Sequence, residues 1–229
     1  MAVVIAHRTC CRHAPENSIE GITRAAELGA DGAEMDVRVT KDRVPVLLHD
    51  LLLLRTTGVP VPLPWLPLRT VRRVAGRGGG VPLAADAVAA ARTRGLRPVL
   101  DVKDARAAPA VVAALEAAAG PAVSLWSQYE EAVTLFAGAG HVTDDVALLR
   151  DTFSPADHEQ LLRDASRLGA GAVSAHWDAV DAAFIRRAAD AGLRVYSWCQ
   201  WADRHAEKVG LGLAGVVTDW PDLARRAGF

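Results

Sequence analysis

GAEMDVRVTKDRVPVLLHD, residues 32–50, is two apolar runs joined by a charged turn, yet Glu34, Asp36 and His49 stand inside or at the edge of those runs. Short runs rich in β-branched residues read as strands buried on a sheet. Ionisable side chains are seldom fully buried unless they are paired or hold an ion. Spacing by two puts Glu34 and Asp36 on the same face of one strand, so the stretch predicts a strand with one face given to packing and the other to two carboxylates.

The same alternation continues on either side. Strand-like runs cover residues 3–7, 32–39, 44–49, 98–103, 123–126, 146–149, 172–176, 194–199 and 215–219. Between them, residues 18–28, 84–94, 108–118, 155–168 and 179–191 carry apolar residues three and four apart, as amphipathic helices do. ELGADG, TRGLRP, RLGAG and DAGLRV place glycine where a helix needs a left-handed C-terminal residue. Repeated βα units of this kind make an α/β fold with a parallel sheet, and 229 residues suit one barrel domain spanning 1–229. Nine runs are one more than an eight-stranded barrel needs, and one of the weaker runs, near Val146 or near Ala172, is expected to be a loop or an accessory strand.

A formal net charge of −1 supplies no overall basic field for nucleic acid or an anionic membrane. The opening MAVVIAHR has no basic leader, and its apolar run is too short for a signal peptide or a membrane span. The expectation is a cytoplasmic protein without stable membrane insertion. Cys10, Cys11 and Cys199 form no CxxC spacing and no even framework, which argues against disulfides and a cysteine zinc site. Oligomeric state is not legible.

LLLLRTTGVPVPLPWLPL, residues 51–68, breaks the rhythm: Pro60, Pro62, Pro64 and Pro67 rule out a regular helix and a central strand. It reads as a short apolar capping loop. Either it is a strap packed over the barrel, or a lid offering leucines and Trp65 to an apolar substrate tail.

A parallel barrel keeps its functional face at the carboxyl ends of its strands. There His7 and Arg8 close the first run, Glu34 and Asp36 occupy the second, His49 and Asp50 close the third, and Asp101 and Lys103 lie two apart in the fourth. Three converging carboxylates in a low-dielectric interior need a cation between them or raised pKa values, and hard oxygen ligands favour Mg²⁺ or Ca²⁺. The structural alternative is a set of buried ion pairs with Arg38, Lys41 or Lys103. Charged residues closing four successive runs are hard to obtain from packing alone.

Taken in order, AHR (6–8), APEN (14–17), ELGADGAEMDVRVTKDRVPVLLHD (27–50), LDVKD (100–104) and GVVTDWPDL (215–223) resemble the glycerophosphodiester phosphodiesterases over nearly the whole chain. The resemblance implies a (β/α)8 triosephosphate-isomerase-type barrel that binds one divalent cation and splits a phosphodiester into an alcohol and a phosphomonoester. It implies His7 and His49 as the acid and base pair, Glu34, Asp36 and Asp101 as metal ligands, and Arg8 and Lys103 as phosphate-binding residues. Glu16 and Asn17 match a motif supporting the first loop, and Trp198 and Asp219 match residues at the mouth. A lyase working on the same metal face is the alternative, forming a cyclic phosphate from a lysophospholipid or ionising an isoprenoid diphosphate. The partner is thus a small phosphodiester, with or without an apolar tail, and not nucleic acid.

Three features depart from the family pattern. Thr9 stands where Gly is usual, Asp101 where Glu is usual, and the capping segment is compressed into the apolar proline-rich stretch. Of the remaining histidines, His13, His141, His158 and His205 read as surface or helix-end residues, whereas His176 closes a strand-like run and is a candidate lining residue. Trp126, Trp198 and Trp220 are candidates for an aromatic wall, and Cys10 and Cys11 read as packing residues.

Overall fold

Eight of the nine runs close into one parallel sheet. A computed structural model, describing residues 2–76, 80–118, 120–151 and 154–229, defines the elements. The strands are β1 (Val3–Ala6), β2 (Gly32–Val39), β3 (Pro45–Leu47), β4 (Arg97–Val102), β5 (Val123–Ser127), β6 (Thr143–Arg150), β7 (Ala172–His176), β8 (Arg194–Cys199) and β9 (Gly215–Thr218). The helices are α1 (Ile19–Glu27), α2 (Leu54–Thr57), α3 (Leu68–Val74), α4 (Ala84–Thr93), α5 (Ala108–Ala118), α6 (Glu130–Ala137), α7 (Pro155–Leu168), α8 (Ala182–Asp190) and α9 (Pro221–Ala227). Strand order is β1-β9-β8-β7-β6-β5-β4-β2, closed by a β1–β2 pairing. This is the barrel that the alternation predicted.

The accessory strand is not where the sequence placed it. The runs near Val146 and Ala172 are barrel strands β6 and β7, paired in parallel from Ala147↔Ala172 to Arg150↔Ala175. The extra one is β3, antiparallel to the far end of β2 through Val37↔Leu47, Arg38↔Val46 and Val39↔Pro45. The reason is chain length: Thr40 N–H donates to Val44 O at 3.1 Å, and so short a turn can join only antiparallel strands, because a parallel crossover needs about a dozen residues. β2 therefore rises above the rim, and β3 descends to deliver His49 at the mouth.

Alternation along each strand sorts side chains into two layers. Met35, Val37, Leu100 and Val102 face the helices in the main core, while Ile5, Val99, Trp126, Ala172, Tyr196 and Val217 pack together in a second, separate cluster. Glu34, Asp36 and Asp101 alternate with the helix-facing residues and are buried. At the β6 end of the second cluster, Asp145 takes hydrogen bonds from Arg194 (2.7 Å) and the Tyr196 hydroxyl (2.8 Å).

The proline-rich stretch is mostly irregular, as expected, with the short helix α2 and a 3-10 turn, Leu63–Trp65, inside it. Leu53 and Leu63 bury themselves with Val46, Leu48 and Val71 in a small core of their own. Backbone bonds Leu53 N to Val61 O (3.1 Å) and Leu63 N to Leu51 O (2.9 Å) fold the segment back on itself. It is a strap with its own footing.

Candidate active site

β1 ends at Ala6 and hands over His7, after which the chain turns through three consecutive residues at positive φ: Arg8 (46°), Thr9 (68°) and Cys10 (126°). A β-branched residue in the left-handed region is strained. Thr9 is held there from two sides: its Oγ1 accepts the Ser18 N–H at 3.1 Å, and Gly21 lies so close that a Cβ on it would sit 2.3 Å from that oxygen. Side-chain contacts thus brace Thr9 in a conformation that its branched side chain disfavours. The turn aims the Arg8 N–H at Glu34 Oε2, 2.7 Å away.

β1 pairs with β2 only at Ile5↔Gly32 and Ala6↔Ala33, so further along β2 the backbone needs another partner on that side. Asn17 fills the place of a strand. Its Oδ1 accepts the Asp36 N–H at 2.9 Å, while its Nδ2 donates to Asp36 Oδ2 at 2.7 Å. Asn17 adopts φ 52°, which asparagine tolerates better than most residues, and its own N–H donates to Arg8 O at 2.8 Å.

One oxygen from each of Glu34, Asp36 and Asp101 lies within 4.8 Å of the others. Lys103 reaches over them, its Nζ 2.9 Å from Asp36 Oδ1 and bonded to Asp101 Oδ2, and Arg8 Nε is 3.6 Å from Asp36 Oδ2. The charges settle unequally. Burial together with the Asp36 charge pushes Glu34 up to about 8, against the pull of His7 and Lys103. Burial would also raise Asp36, but Lys103, His49, Asn17 and Arg8 outweigh it and hold that carboxyl at about 2. Asp101 is raised by burial in spite of Lys103, and Lys103 is itself raised because Asp101, Asp36 and Glu34 outweigh its own burial.

This donor set fits a hard divalent cation. It offers oxygens only, and Glu34 Oε1 is buried with no hydrogen-bond partner among the described residues, an arrangement that is costly without a counter-charge.

Both expected histidines open onto the same cleft of about 260 Å³, together with Arg8, Glu34, Asp101, Lys103 and Trp198. Each is held by an aspartate: His7 Nδ1–H donates to Asp219 Oδ1 at 2.6 Å, and His49 Nδ1–H donates to Asp50 Oδ1 at 2.7 Å. These bonds fix the tautomer and leave Nε2 of each ring for a substrate. For His7, burial lowers the pKa, yet the Asp219 hydrogen bond and the Glu34 and Asp219 charges more than offset it, and the net direction is up.

The second dyad is tied to the first loop. Arg55 Nε donates to Asp50 Oδ2 at 2.6 Å, its two terminal nitrogens grip both Glu16 oxygens at 2.6 and 2.7 Å, and Glu16 Oε2 accepts from Arg8 at 3.3 Å. Asp50 is held at about 2, chiefly by the Arg55 hydrogen bond. The strap thus connects His49 to Arg8 through charged hydrogen bonds.

Glu16, Asn17, Asp36 and Asp219 sit one layer behind the lining, each bonded to a residue that lines it or to one of the carboxylates. His176 is also outside the lining; its ring meets Trp198 edge-on at 4.5 Å and its Nδ1 accepts the Asp178 N–H at 3.2 Å. Trp126 and Trp198 line the cleft, whereas Trp220 packs against His13 (5.4 Å) and under Arg12 (5.9 Å). Gln128, Arg150, Ser174 and Gln200 line the cleft and were not expected. Three of them end or directly follow β5, β6 and β8, so the strand-end rule could have found them. Nothing local marks Arg55.

The sequence model described as the glycerophosphoryl diester phosphodiesterase family matches residues 7–137. A glycerophosphodiester phosphodiesterase of Caldanaerobacter subterraneus subsp. tengcongensis is 53% identical over 56 residues, 24% of this chain and 23% of that protein. Glycerophosphodiester phosphodiesterase 1 of Rattus norvegicus is 51% identical over 53 residues, 23% of this chain and 16% of that protein. The aligned segment thus spans less than a quarter of either relative. Among solved structures, an Oleispira antarctica phosphodiesterase in complex with the product sn-glycerol-3-phosphate superposes with a TM-score of 0.85 at 21% identity, covering 99% of this chain and 96% of that one. A Thermotoga maritima glycerophosphodiester phosphodiesterase gives 0.83 at 20% identity, covering 99% and 98%.

Proposed function

The chain belongs to the glycerophosphoryl diester phosphodiesterase family, and from that premise we propose that it hydrolyses a glycerophosphodiester to an alcohol and a phosphomonoester, using His7 and His49 as the proton-transferring pair. The observation that carries the reading is the pairing itself: two histidines, each held at Nδ1 by an aspartate, share one cleft with three clustered carboxylates, Arg8 and Lys103.

Glu34, Asp36 and Asp101 would hold one Mg²⁺ or Ca²⁺ ion. When bound, such an ion supplies a Lewis acid for a phosphoryl oxygen. Arg8 and Lys103 add positive charge, so that the anionic diester is held and repels an incoming nucleophile less. His49, kept in one tautomer by Asp50, takes the proton from the attacking hydroxyl or water through Nε2. His7 gives the leaving alkoxide a proton; the Asp219 hydrogen bond, which raises the pKa of the ring against its burial, favours the protonated form that this role needs. If a hydroxyl of the substrate attacks first, a cyclic phosphate precedes the monoester and the same two rings exchange roles for its opening.

A groove of about 360 Å³ lined by Arg38, His49, Asp50, Leu51, Leu52, Leu54 and Arg55 adjoins the base. It supports substrates carrying a hydrocarbon part, such as lysophospholipids, beside those with a polar head group. The main cleft is lined largely by charged and amide side chains, which favours the phosphodiester reading over ionisation of an isoprenoid diphosphate.

The test is turnover of a panel of glycerophosphocholine, lysophospholipids and an isoprenoid diphosphate with Mg²⁺, Ca²⁺ or chelator, followed by phosphorus NMR. A phosphomonoester that disappears with chelator, and a loss of about a hundredfold or more in His7→Ala and His49→Ala, is the expected result. Accumulation of cyclic phosphate or free diphosphate would make the enzyme a lyase, and a chelator-insensitive rate would remove the metal from the reaction.

A further inference from the structure

The near-neutral charge of the chain hides a local asymmetry. Residues 41–76, which hold β3, the strap and α3, carry six Lys and Arg residues against two Asp in a chain whose formal charge is −1. Lys41, Arg43, Arg69, Arg72 and Arg73 are all exposed. The same segment holds four of the seven large exposed apolar side chains among the described residues: Leu51 (46%), Leu52 (39%), Leu54 (52%) and Trp65 (70%).

Hydrogen bonds tie the segments that carry these residues together. The strap is folded on itself by the Leu53–Val61 and Leu63–Leu51 backbone bonds, and Trp65 ends the turn Leu63–Trp65 that follows. Lys41 N–H then donates to Leu66 O at 2.9 Å, and Leu68 N–H to Asp42 Oδ1 at 2.9 Å, which join the basic β2–β3 turn to the start of α3. Packing does not require the exposed leucines and tryptophan, because Leu53, Leu63 and Val71 already serve the small core below. A large apolar side chain left in water is ordinary when single; four exposed between residues 51 and 65 of one proline-stiffened loop call for an occupant.

We propose that this face docks the protein, peripherally and reversibly, on an anionic lipid bilayer. The chemistry matches that partner on both counts. Tryptophan and leucine partition into the interface between head groups and acyl chains, and clustered Lys and Arg are drawn to anionic head groups. No described helix is long and apolar enough to cross a membrane, so docking would rest on this surface alone. The groove beside His49 is lined by three of the same leucines, so docking sets the mouth of the cleft against the lipid. Arg55, in the same strap, carries the contact on to Asp50 and Glu16. Vesicle binding does not depend on turnover, so its failure leaves the proposed reaction standing.

The experiment is co-sedimentation of the full chain with vesicles of phosphatidylcholine containing about one third phosphatidylglycerol, and with vesicles of phosphatidylcholine alone. Binding is expected only to the first, and it should weaken as salt is raised. Each basic residue at an anionic surface contributes roughly fivefold, so Arg69→Glu with Arg73→Glu should weaken binding by at least about 25-fold. Trp65→Ser should weaken it without changing the circular dichroism melt, because that ring is mostly in water. The proposal fails if the anionic vesicles leave the protein in the supernatant, if both vesicle types bind it equally, or if the variants bind as the parent does. It also fails if ultracentrifugation shows a dimer that Trp65→Ser dissociates, since a second copy would then cover the face.

Discussion

Asn17 is the most economical place to test whether the carboxylate cluster is held as described. Replacing it with Ala removes the charge-assisted bond from Nδ2 to Asp36 Oδ2 (2.7 Å), a loss of about 1.5–3 kcal/mol. It also strips the Asp36 N–H of its acceptor at 2.9 Å, and an unpaired buried donor costs about 1–3 kcal/mol. Alanine at φ 52° adds about 1 kcal/mol of backbone strain. The whole comes to roughly 5 kcal/mol, and for a chain of this size each kcal/mol lowers the melting midpoint by about 2–4 °C. A fall of about 10 °C or more is expected, read by circular dichroism, with Mg²⁺ affinity by calorimetry reduced about 10–100-fold because a ligand has lost its support. Asn17→Asp separates the two contributions: it keeps an acceptor for the Asp36 N–H and tolerates the backbone, but sets a carboxylate against Asp36. It should melt closer to the parent yet disturb metal binding. If Asn17→Ala melts within about 3 °C of the parent and binds Mg²⁺ as tightly, Asp36 is held by something else and the description of the cluster is wrong.

Asp219→Asn should move the alkaline limb of the rate profile to lower pH. His7 must be protonated to act as the acid, so activity falls as pH rises through its pKa, and losing the Asp219 charge and hydrogen bond lowers that pKa; an unmoved limb would detach His7 from the acid role. Glu34, pushed up to about 8, holds a proton at neutral pH when no ion is present, and a bound cation must expel it. Mg²⁺ affinity should therefore climb about tenfold per pH unit below 8 and level off above, with close to one proton released at pH 7 in calorimetry across two buffers. The sign for the ion-free fold is opposite: with the folded pKa raised, its stability is fullest below the ordinary carboxylate pKa and declines as pH rises to about 8, which urea titrations at several pH values can read. Arg55→Gln cuts the tie between Asp50 and Glu16 at a half-exposed position, so stability should fall by no more than about 1 kcal/mol while kcat falls and KM holds.

From the sequence alone came the barrel and the main groups of its rim. The alternation of β-branched runs with helical periods states the fold, and spacing by two states that Glu34 and Asp36 share a face, as Asp101 and Lys103 do, because side-chain direction on a strand follows from the backbone. Even the accessory strand was legible in principle: the turn between Val39 and Pro45 is too short for a parallel crossover, a fact about chain length rather than about tertiary contacts. What only the folded chain decided is how those groups are held. Asn17 standing in for a missing strand beside Asp36, Thr9 kept at positive φ by Ser18 and the bare face of Gly21, and Arg55 bridging two loops 39 residues apart are pairings between distant segments. Local pattern carries no record of such pairings. Their energies come from closure of the barrel, which brings the ends of β1, β2 and β4 to one rim and leaves each polar group there to find whatever partner the geometry supplies.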